Sequence, residues 1–192
     1  LGGFINYNTD RTNVYRTGKE ERRLAGEREK RYKKYETLPQ PRVVAARVSV
    51  NLQPRVPAIA VAGTYVLRNK TAASVGSDHL TVPEIMSIRE LSFDRSGERV
   101  VTDSTHQYHI YRLDQAMGPG DSAVMRFRLE YRRRGFGNDV TSLFLVENGS
   151  FMHSMMIMPT IGYNDNLELA DDDAREKEGL KPKERMRPPT DT

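Results

Sequence analysis

The feature that most constrains the fold is a change of hydrophobic period after the first 42 residues. The chain is polar and highly charged up to that point. Apolar side chains then alternate with small or polar ones, at Val44, Ala46, Val48, Val50 and Leu52. Alternation with a period of two is typical of a β-strand that has one face on a core and the other in water. A β-structure is therefore predicted to begin here.

Further segments with strand character continue as far as Tyr163. Candidate strands cover 59–67, 91–93, 99–102, 106–113, 124–131, 143–146 and 151–158, with an ambiguous segment at 80–88 and a turn-rich one at 69–79. Asp94-Arg95-Ser96-Gly97 predicts a hairpin turn, and Gly118-Pro119-Gly120-Asp121 predicts a tight loop. Seven or eight short strands at a spacing of roughly 8–12 residues are typical of an antiparallel sandwich or barrel.

One convincing helix is predicted, over residues 17–36. Thr17 and Glu20 have the spacing of a capping box, in which the hydroxyl and the carboxylate each bind a free backbone amide of the first turn. Pro39 and Pro41 end the helix and favour an extended path. The predicted fold class is therefore mainly β: an antiparallel sandwich or saddle of about seven to eight strands, with one N-terminal helix and an extended C-terminal linker.

The predicted helix has a narrow apolar stripe made by Leu24, Tyr32 and Tyr35. A stripe this narrow does not hold a helix in water without packing against another element. We expect the helix to fold back through these three residues onto the edge of the sandwich, because an exposed strand edge needs a cover. Its charged face is expected to point to solvent, or to membrane headgroups if a membrane lies nearby.

Composition limits the classes of function. The chain has no cysteine, which excludes disulfides, thiol nucleophiles and cysteine–zinc sites. Its net charge of +4 suggests nucleic-acid binding, but the basic residues of the helix alternate with glutamates, and the only uninterrupted basic run is Arg132-Arg133-Arg134. A solvated surface explains these charges better, and no nucleic-acid partner is predicted. No apolar segment approaches the roughly 18 residues of a membrane span.

No catalytic or metal-binding residue is predicted. The only histidines are His79, His106, His109 and His153, and none lies in a His-Glu-x-x-His motif. His106 and His109 are three residues apart, which places them on opposite faces of a strand. The acidic run at 171–173 lacks the spacing of a calcium loop. The chain is therefore expected to have no cofactor and no enzymatic activity of its own.

A cluster of methionines near the C-terminal end of the β region is the one candidate contact site. Met152, Met155, Met156 and Met158 lie within seven residues and are followed by Tyr163. Thioethers favour soft copper, but no thiolate supports such a site here, so core filling or contact with a neighbouring domain is the better interpretation. These five residues are the predicted interdomain contact.

Several short strings, in order along the chain, resemble one family. They are Phe4-Ile5-Asn6-Tyr7-Asn8, Tyr15-Arg16-Thr17, Tyr32-Lys33-Lys34-Tyr35-Glu36, Leu38-Pro39-Gln40-Pro41, Gly63-Thr64-Tyr65 with Asn69-Lys70-Thr71, Glu147-Asn148-Gly149-Ser150-Phe151, Pro159-Thr160-Ile161-Gly162-Tyr163, Glu168-Leu169, Arg175 and Gly179-Leu180. The family consists of bacterial membrane proteins that join an ABC-transporter-permease-like half to an extracytoplasmic half similar to aminopeptidase N. Residues 58–62 and 81–86 carry no such signature.

The resemblance implies that the chain is the N-terminal β-saddle of the aminopeptidase half. It implies an extended lead from a membrane anchor at 1–16, the helix at 17–38, the β domain at 43–163 and a linker at 164–192. A zinc-binding catalytic domain would follow, and zinc is expected only there, because the family's exopeptidase and zinc motifs are missing from this chain. The start at Leu1 fits an excised piece, although a processed mature start remains an alternative.

Three functions are compatible with these observations. The first is a non-catalytic accessory domain that frames the substrate cavity of a following metallopeptidase domain, in the extracytoplasmic part of a bacterial membrane protein. The second is an extracytoplasmic sandwich that acts alone as a binding module. The third, a nucleic-acid-binding barrel, needs aromatic side chains exposed on adjacent strands. Tyr108 and Tyr131 are instead expected in the core.

Overall fold

The computed structural model describes residues 16–56, 58–132, 145–146 and 149–183. The helices are α1 (Gly18–Tyr32), α2 (Ser154–Ile157) and α3 (Asp172–Lys177), with 3₁₀ turns at Lys33–Tyr35 and Asp165–Leu167. The strands are β1 (Arg42–Gln53), β2 (Ala58–Arg68), β3 (Val75–Thr81), β4 (Ser87–Phe93), β5 (Gly97–Asp103), β6 (Tyr108–Met117), β7 (Ser122–Arg132), β8 (Leu145–Val146), β9 (Gly149–Ser150) and β10 (Thr160–Ile161). The predicted lead at 1–16 lies almost wholly outside the described residues.

The strands form two four-stranded antiparallel sheets. The first has the order β1-β2-β7-β4 and the second the order β10-β3-β6-β5, while β8 and β9 make a small separate pair. The predicted fold class is confirmed: the chain is mainly β, with its strands in two antiparallel sheets and one N-terminal helix.

The main core lies between the two sheets. It combines Ile59, Val61 and Leu67 of β2 and Phe127 of β7 with side chains of the second sheet such as Leu80. Gly63 leaves the space that the Phe127 ring fills, since a Cβ at that position would lie 2.3 Å from the Phe127 Cζ. The alternation of β2 therefore marks the buried face of this sheet, and the missing side chain at Gly63 admits a large aromatic ring. The alternation at 44–52 was expected to place one face on the core, but β1 is exposed along almost all of its length.

The predicted hairpin around Asp94–Gly97 is wrong. β4 pairs with β7 in the first sheet, whereas β5 pairs with β6 in the second, so the turn crosses from one sheet to the other. Asp94 fixes this crossing, because its amide donates to the Val124 carbonyl at 2.9 Å and its carboxylate accepts from the Val124 amide at 2.7 Å. A turn sequence predicts reversal of the chain, but the sheet that each strand joins is decided by packing.

Two further segments differ from their predictions. Val75–Thr81 is strand β3 and not part of a loop. Its buried His79 and Thr81 side chains have hydrogen-bond partners. Residues 151–158 do not form a strand, because Ser154–Ile157 is a single helical turn. A strand does follow at Thr160–Ile161, just beyond the segment where one was expected.

The predicted N-terminal helix is confirmed, with its capping box. The Thr17 side chain accepts from the Glu20 amide at 3.3 Å, and the Glu20 carboxylate accepts from the Thr17 amide at 3.1 Å. The helix packs on the outer face of the second sheet, however, and not on a strand edge. Tyr32 stacks on Tyr108 of β6 with 4.2 Å between ring centroids, so a central strand and not an edge receives the helix.

Candidate functional site

The helical turn α2 places the methionines on the protein surface. Ile157 is buried and anchors the turn in the main core, while its neighbours Met155 and Met156 point into an open cleft. The cleft has a volume of about 360 Å³ and also receives Met158 and His153. The rest of its wall comes from the β3–β4 connection, the start of β10 and the 3₁₀ turn, through Thr81, Pro83, Glu84, Ile85, Thr160 and Leu167.

We call this opening the methionine cleft. The apolar residues of the segment 151–158 beside it differ in how far they are exposed. Met152, Met156 and Met158 are half-buried and pack against the core. Met155 is 45% exposed and Phe151 is 81% exposed, both high values for large apolar side chains. The four methionines are therefore not hidden inside the domain. Their predicted contact with a neighbouring domain stays a prediction.

Tyr163 lies apart from the methionine cleft. Its ring is covered by the Arg28 guanidinium at 4.9 Å, and its hydroxyl donates to Glu168 Oε1 at 3.0 Å. Burial raises the pKa of the Tyr163 hydroxyl, as does the neighbouring Glu168 carboxylate. Tyr163 thus belongs to the layer beneath α1, although the sequence grouped it with the methionines.

Charged side chains attach α1 to the second sheet, although its charged face was expected to point to solvent. Arg28 is 3% exposed, and its guanidinium donates to the His106 carbonyl at 3.2 Å, to the Asn164 carbonyl at 3.0 Å and to Thr81 Oγ1 at 3.4 Å. A buried cation is tolerated when its donors are bound in this way. Arg28 therefore joins the helix, the strand β3 and the C-terminal segment.

Two ion-pair sets connect α1 to the C-terminal segment. Glu29 and Arg175 are each 3% exposed and form two parallel bonds, at 2.6 Å and 2.9 Å. Glu168 is also buried, and its carboxylate lies 2.7 Å from Lys33 Nζ and 3.1 Å from Lys183 Nζ. Bidentate arginine–carboxylate pairs are directional, so these contacts fix the position of the segment on the helix.

Three of the histidines lie at separate places on the second sheet and in the turn before β6. His79 lies under α1, where its Nδ1 is 2.9 Å from the Tyr108 hydroxyl and its Nε2 is 3.0 Å from Ser77 Oγ. Burial lowers the pKa of His79 to about 4, so the ring is neutral at pH 7. His106 lies between the Asp103 carboxylate at 2.8 Å and that of Glu27 at 3.3 Å. His109, on the strand beyond, faces the opposite side.

No described residues form a group of three or more histidine, aspartate or glutamate side chains placed to hold a metal ion. In the same ranges, no helix combines the length and the apolar character that a membrane crossing requires.

Asp78 is the most unusual titratable residue. It is fully buried on β3 opposite Tyr111, and neither of its carboxyl oxygens has a hydrogen-bond partner among the described residues. Burial raises the pKa of Asp78 to about 7, against a smaller lowering by Arg95. The carboxyl is therefore stable in its neutral form, and ionisation is costly.

Sequence reasoning missed the buried charges. Arg28 and Glu29 lie in a run of alternating charges that is typical of a solvated helix face, and their partners are far along the chain, at Asn164 and Arg175. No local spacing marks such a pair. The one available signal was the narrowness of the apolar stripe, which shows that something besides apolar packing must hold the helix.

Comparisons with known proteins give only a weak likeness to solved structures. No protein-family model matches the sequence, and no curated protein matches it. Among solved structures, an M1 zinc metallopeptidase from Deinococcus radiodurans, determined with a bound Tyr-Ser-Ala substrate, is similar over 48% of this chain and 21% of that chain, with a TM-score of 0.39 and 13% identity. The chain thus spans about a fifth of that enzyme, whose zinc chemistry and peptide substrate are its own properties.

Proposed function

We propose that this chain is a non-catalytic accessory domain of a larger, membrane-anchored protein similar to zinc aminopeptidases. It would lie outside the cytoplasm and frame the substrate cavity of a following metallopeptidase domain. Zinc and the catalytic residues would belong to that domain. The ordered strings of family resemblance, which run from Phe4 to Leu180, support this assignment, and a mainly β domain of two antiparallel sheets is the architecture that they imply.

The observation that carries the proposal is the methionine cleft. It presents an open apolar surface with Met155 45% exposed beside half-buried Met156 and Met158. The exposed Phe151 ring adjoins this surface through His153, at 6.4 Å between ring centroids. Contiguous exposed apolar surface of this kind is typical of an interaction site, and methionine adapts well to a partner's surface. The cleft is held in place by Ile157 and by strand β10, so the surface does not need to reorganise before contact.

The test uses the complete reading frame that contains this chain. We expect Phe151→Asp with Met155→Asp to lower aminopeptidase activity on an aminoacyl-coumarin amide, because the charges disrupt the docking of the catalytic domain. Hydrogen exchange at residues 151–158 should be slower in the full-length protein than in the isolated chain. Val100→Asp is the matched control, since Val100 is also exposed, at 42%, but lies on β5 away from the cleft.

The accessory role and the stand-alone binding role predict different results in these experiments. Equal exchange at 151–158 in the isolated chain and in the full-length protein would contradict docking at this cleft. A reading frame without a downstream zinc motif would contradict the accessory role and favour the alternative, a binding module that acts alone through the same surface.

A further inference from the structure

The outer strand of the first sheet is exposed along its whole length. β1 contains 12 residues, of which only Val48 is partly buried and the rest are exposed. Among the described residues it pairs only with β2, so one side of its backbone faces outward. Five of the nine exposed large apolar residues in the described ranges lie in β1 or the turn that follows it: Val43, Val44, Val50, Leu52 and Val56.

Three apolar residues in the second half of β1 share one face. Val48, Val50 and Leu52 lie opposite Gly63, Val61 and Ile59 of β2, which face the main core. Their side chains therefore point to the core side of the sheet, where Val48 packs against the main core but Val50 and Leu52 stay 42% and 40% exposed. The strand therefore exposes an apolar stripe on one face and a row of backbone hydrogen-bonding groups along its outer edge.

The other edges of the two sheets are protected in ways that β1 is not. β4 has a bulge between Ile88 and Glu90 and carries the ion pairs Arg89–Glu130 and Glu90–Arg128. β5 has a bulge after Arg99, and β10 has only two residues. Bulges, charges and short length are the usual means by which proteins prevent pairing at a sheet edge. In β1 the bulge lies near the start, and residues 46–53 contain one charge and no proline.

We infer that β1 pairs antiparallel with β1 of a second copy of this chain, about a two-fold axis at Val48. In this register Ala46 lies opposite Val50 of the second copy, and Arg47 lies opposite Ser49 of the second copy. Apolar residues thus meet apolar ones, and the arginines do not face each other. The two four-stranded sheets join into one sheet of eight strands, and the two apolar stripes become continuous.

Two alternative registers are less favourable. A shift of one residue places the stripe of one copy on the opposite face from that of the other. A register centred on Arg47 places two arginines directly opposite each other, which destabilises a strand pair. A strand edge buries less than the roughly 800 Å² per partner of a standard interface, so a dissociation constant in the micromolar range is expected.

Sedimentation velocity on the complete chain, from about 1 to 200 µM, should show a reversible dimer. Val48→Lys and Val48→Glu should each weaken dimerisation by about tenfold or more, because like charges meet at the axis. An equimolar mixture of the two variants should recover a dimer, because lysine then faces glutamate. Val100→Lys, on the exposed edge strand β5, is the matched control and should leave dimerisation unchanged.

The mixture of Val48→Lys and Val48→Glu also separates loss of pairing from loss of folding, since an unfolded variant would not be rescued by its partner.

The absence of cysteine allows a second measurement. Val48→Cys should form an intermolecular disulfide on mild oxidation, and Val100→Cys should not. A monomer at all concentrations, a dimer that Val48→Lys leaves intact, or a mixture that stays monomeric would overturn the inference. These results do not depend on the accessory role, which requires no dimer.

Discussion

Replacing the buried Asp78 with asparagine is expected to stabilise the protein above pH 7. The Asp78 carboxyl is fully buried, and neither oxygen has a hydrogen-bond partner among the described residues. Its pKa is raised by burial from an ordinary value of 3.8 to about 7. An asparagine has nearly the same shape and stays neutral at every pH, so it removes the cost of ionisation and keeps the packing.

The sign follows from proton binding in the two states. Because the folded state binds the Asp78 proton more tightly than the unfolded state, the stabilisation is complete below pH 4 and is lost as the pH rises to about 7. A difference of about three pKa units, at about 1.4 kcal/mol per unit, corresponds to about 4 kcal/mol. Asp78→Asn should therefore raise the free energy of unfolding by up to about 4 kcal/mol at pH 8 and change it little at pH 4.

Urea unfolding followed by circular dichroism, at unit steps from pH 4 to pH 8, measures this difference. Other groups titrate in both proteins, so the quantity to compare is the gap between variant and wild type at each pH. Asp114→Asn is the control, because Asp114 is an exposed carboxylate on β6. A gap that stays constant from pH 4 to pH 8, or a variant that is less stable at pH 8, would refute the reasoning.

Three further predictions concern the helix and the core. Glu29→Ala should lower the free energy of unfolding by about 3–5 kcal/mol in urea denaturation, because it leaves the Arg175 charge buried without its partner; an effect below 1 kcal/mol would contradict this. Gly63→Ala should cost about 1–3 kcal/mol by calorimetry, because its Cβ meets the Phe127 ring, and a neutral result would show that the ring moves freely. Deleting residues 1–38 should lower the melting temperature by about 10 °C while the β signal in circular dichroism remains, and an unchanged melting temperature would show that the helix is undocked.

The elements that the sequence predicted well depend on local patterns. The capping box of Thr17 and Glu20 and the alternation of β1 and β2 need only neighbouring residues, and both are present in the structure. Strand β3 was missed because it contains Ser77, Asp78 and His79, which read as a loop. Asp78 and His79 are buried because other elements cover both faces of the strand, and a single sequence does not contain that information.

The methionine segment could be placed at the surface from its sequence, but its conformation could not. A run of apolar residues is compatible with a buried strand or a short helix, and periodicity does not separate them over so few residues. The helical turn at Ser154–Ile157 lets Ile157 reach the core while Met155 stays exposed. The grouping of Tyr163 with the methionines relied on closeness in sequence, whereas β10 carries the chain to the layer beneath α1.

The buried charges explain how a helix with so little apolar surface is held. Tyr32 supplies the apolar contact with Tyr108, and the remaining attachments are directional: Arg28 on the β3 side, and the Glu29–Arg175 pair on the C-terminal side. Lys33 adds a bond to Glu168 of the same segment. Residues 164–183 therefore help to hold α1 on the sheet, whatever follows them. Because this segment and α1 share buried ion pairs, we expect a perturbation of either one to weaken the packing of the other. A perturbation of the C-terminal segment should therefore affect α1 before it affects the main core.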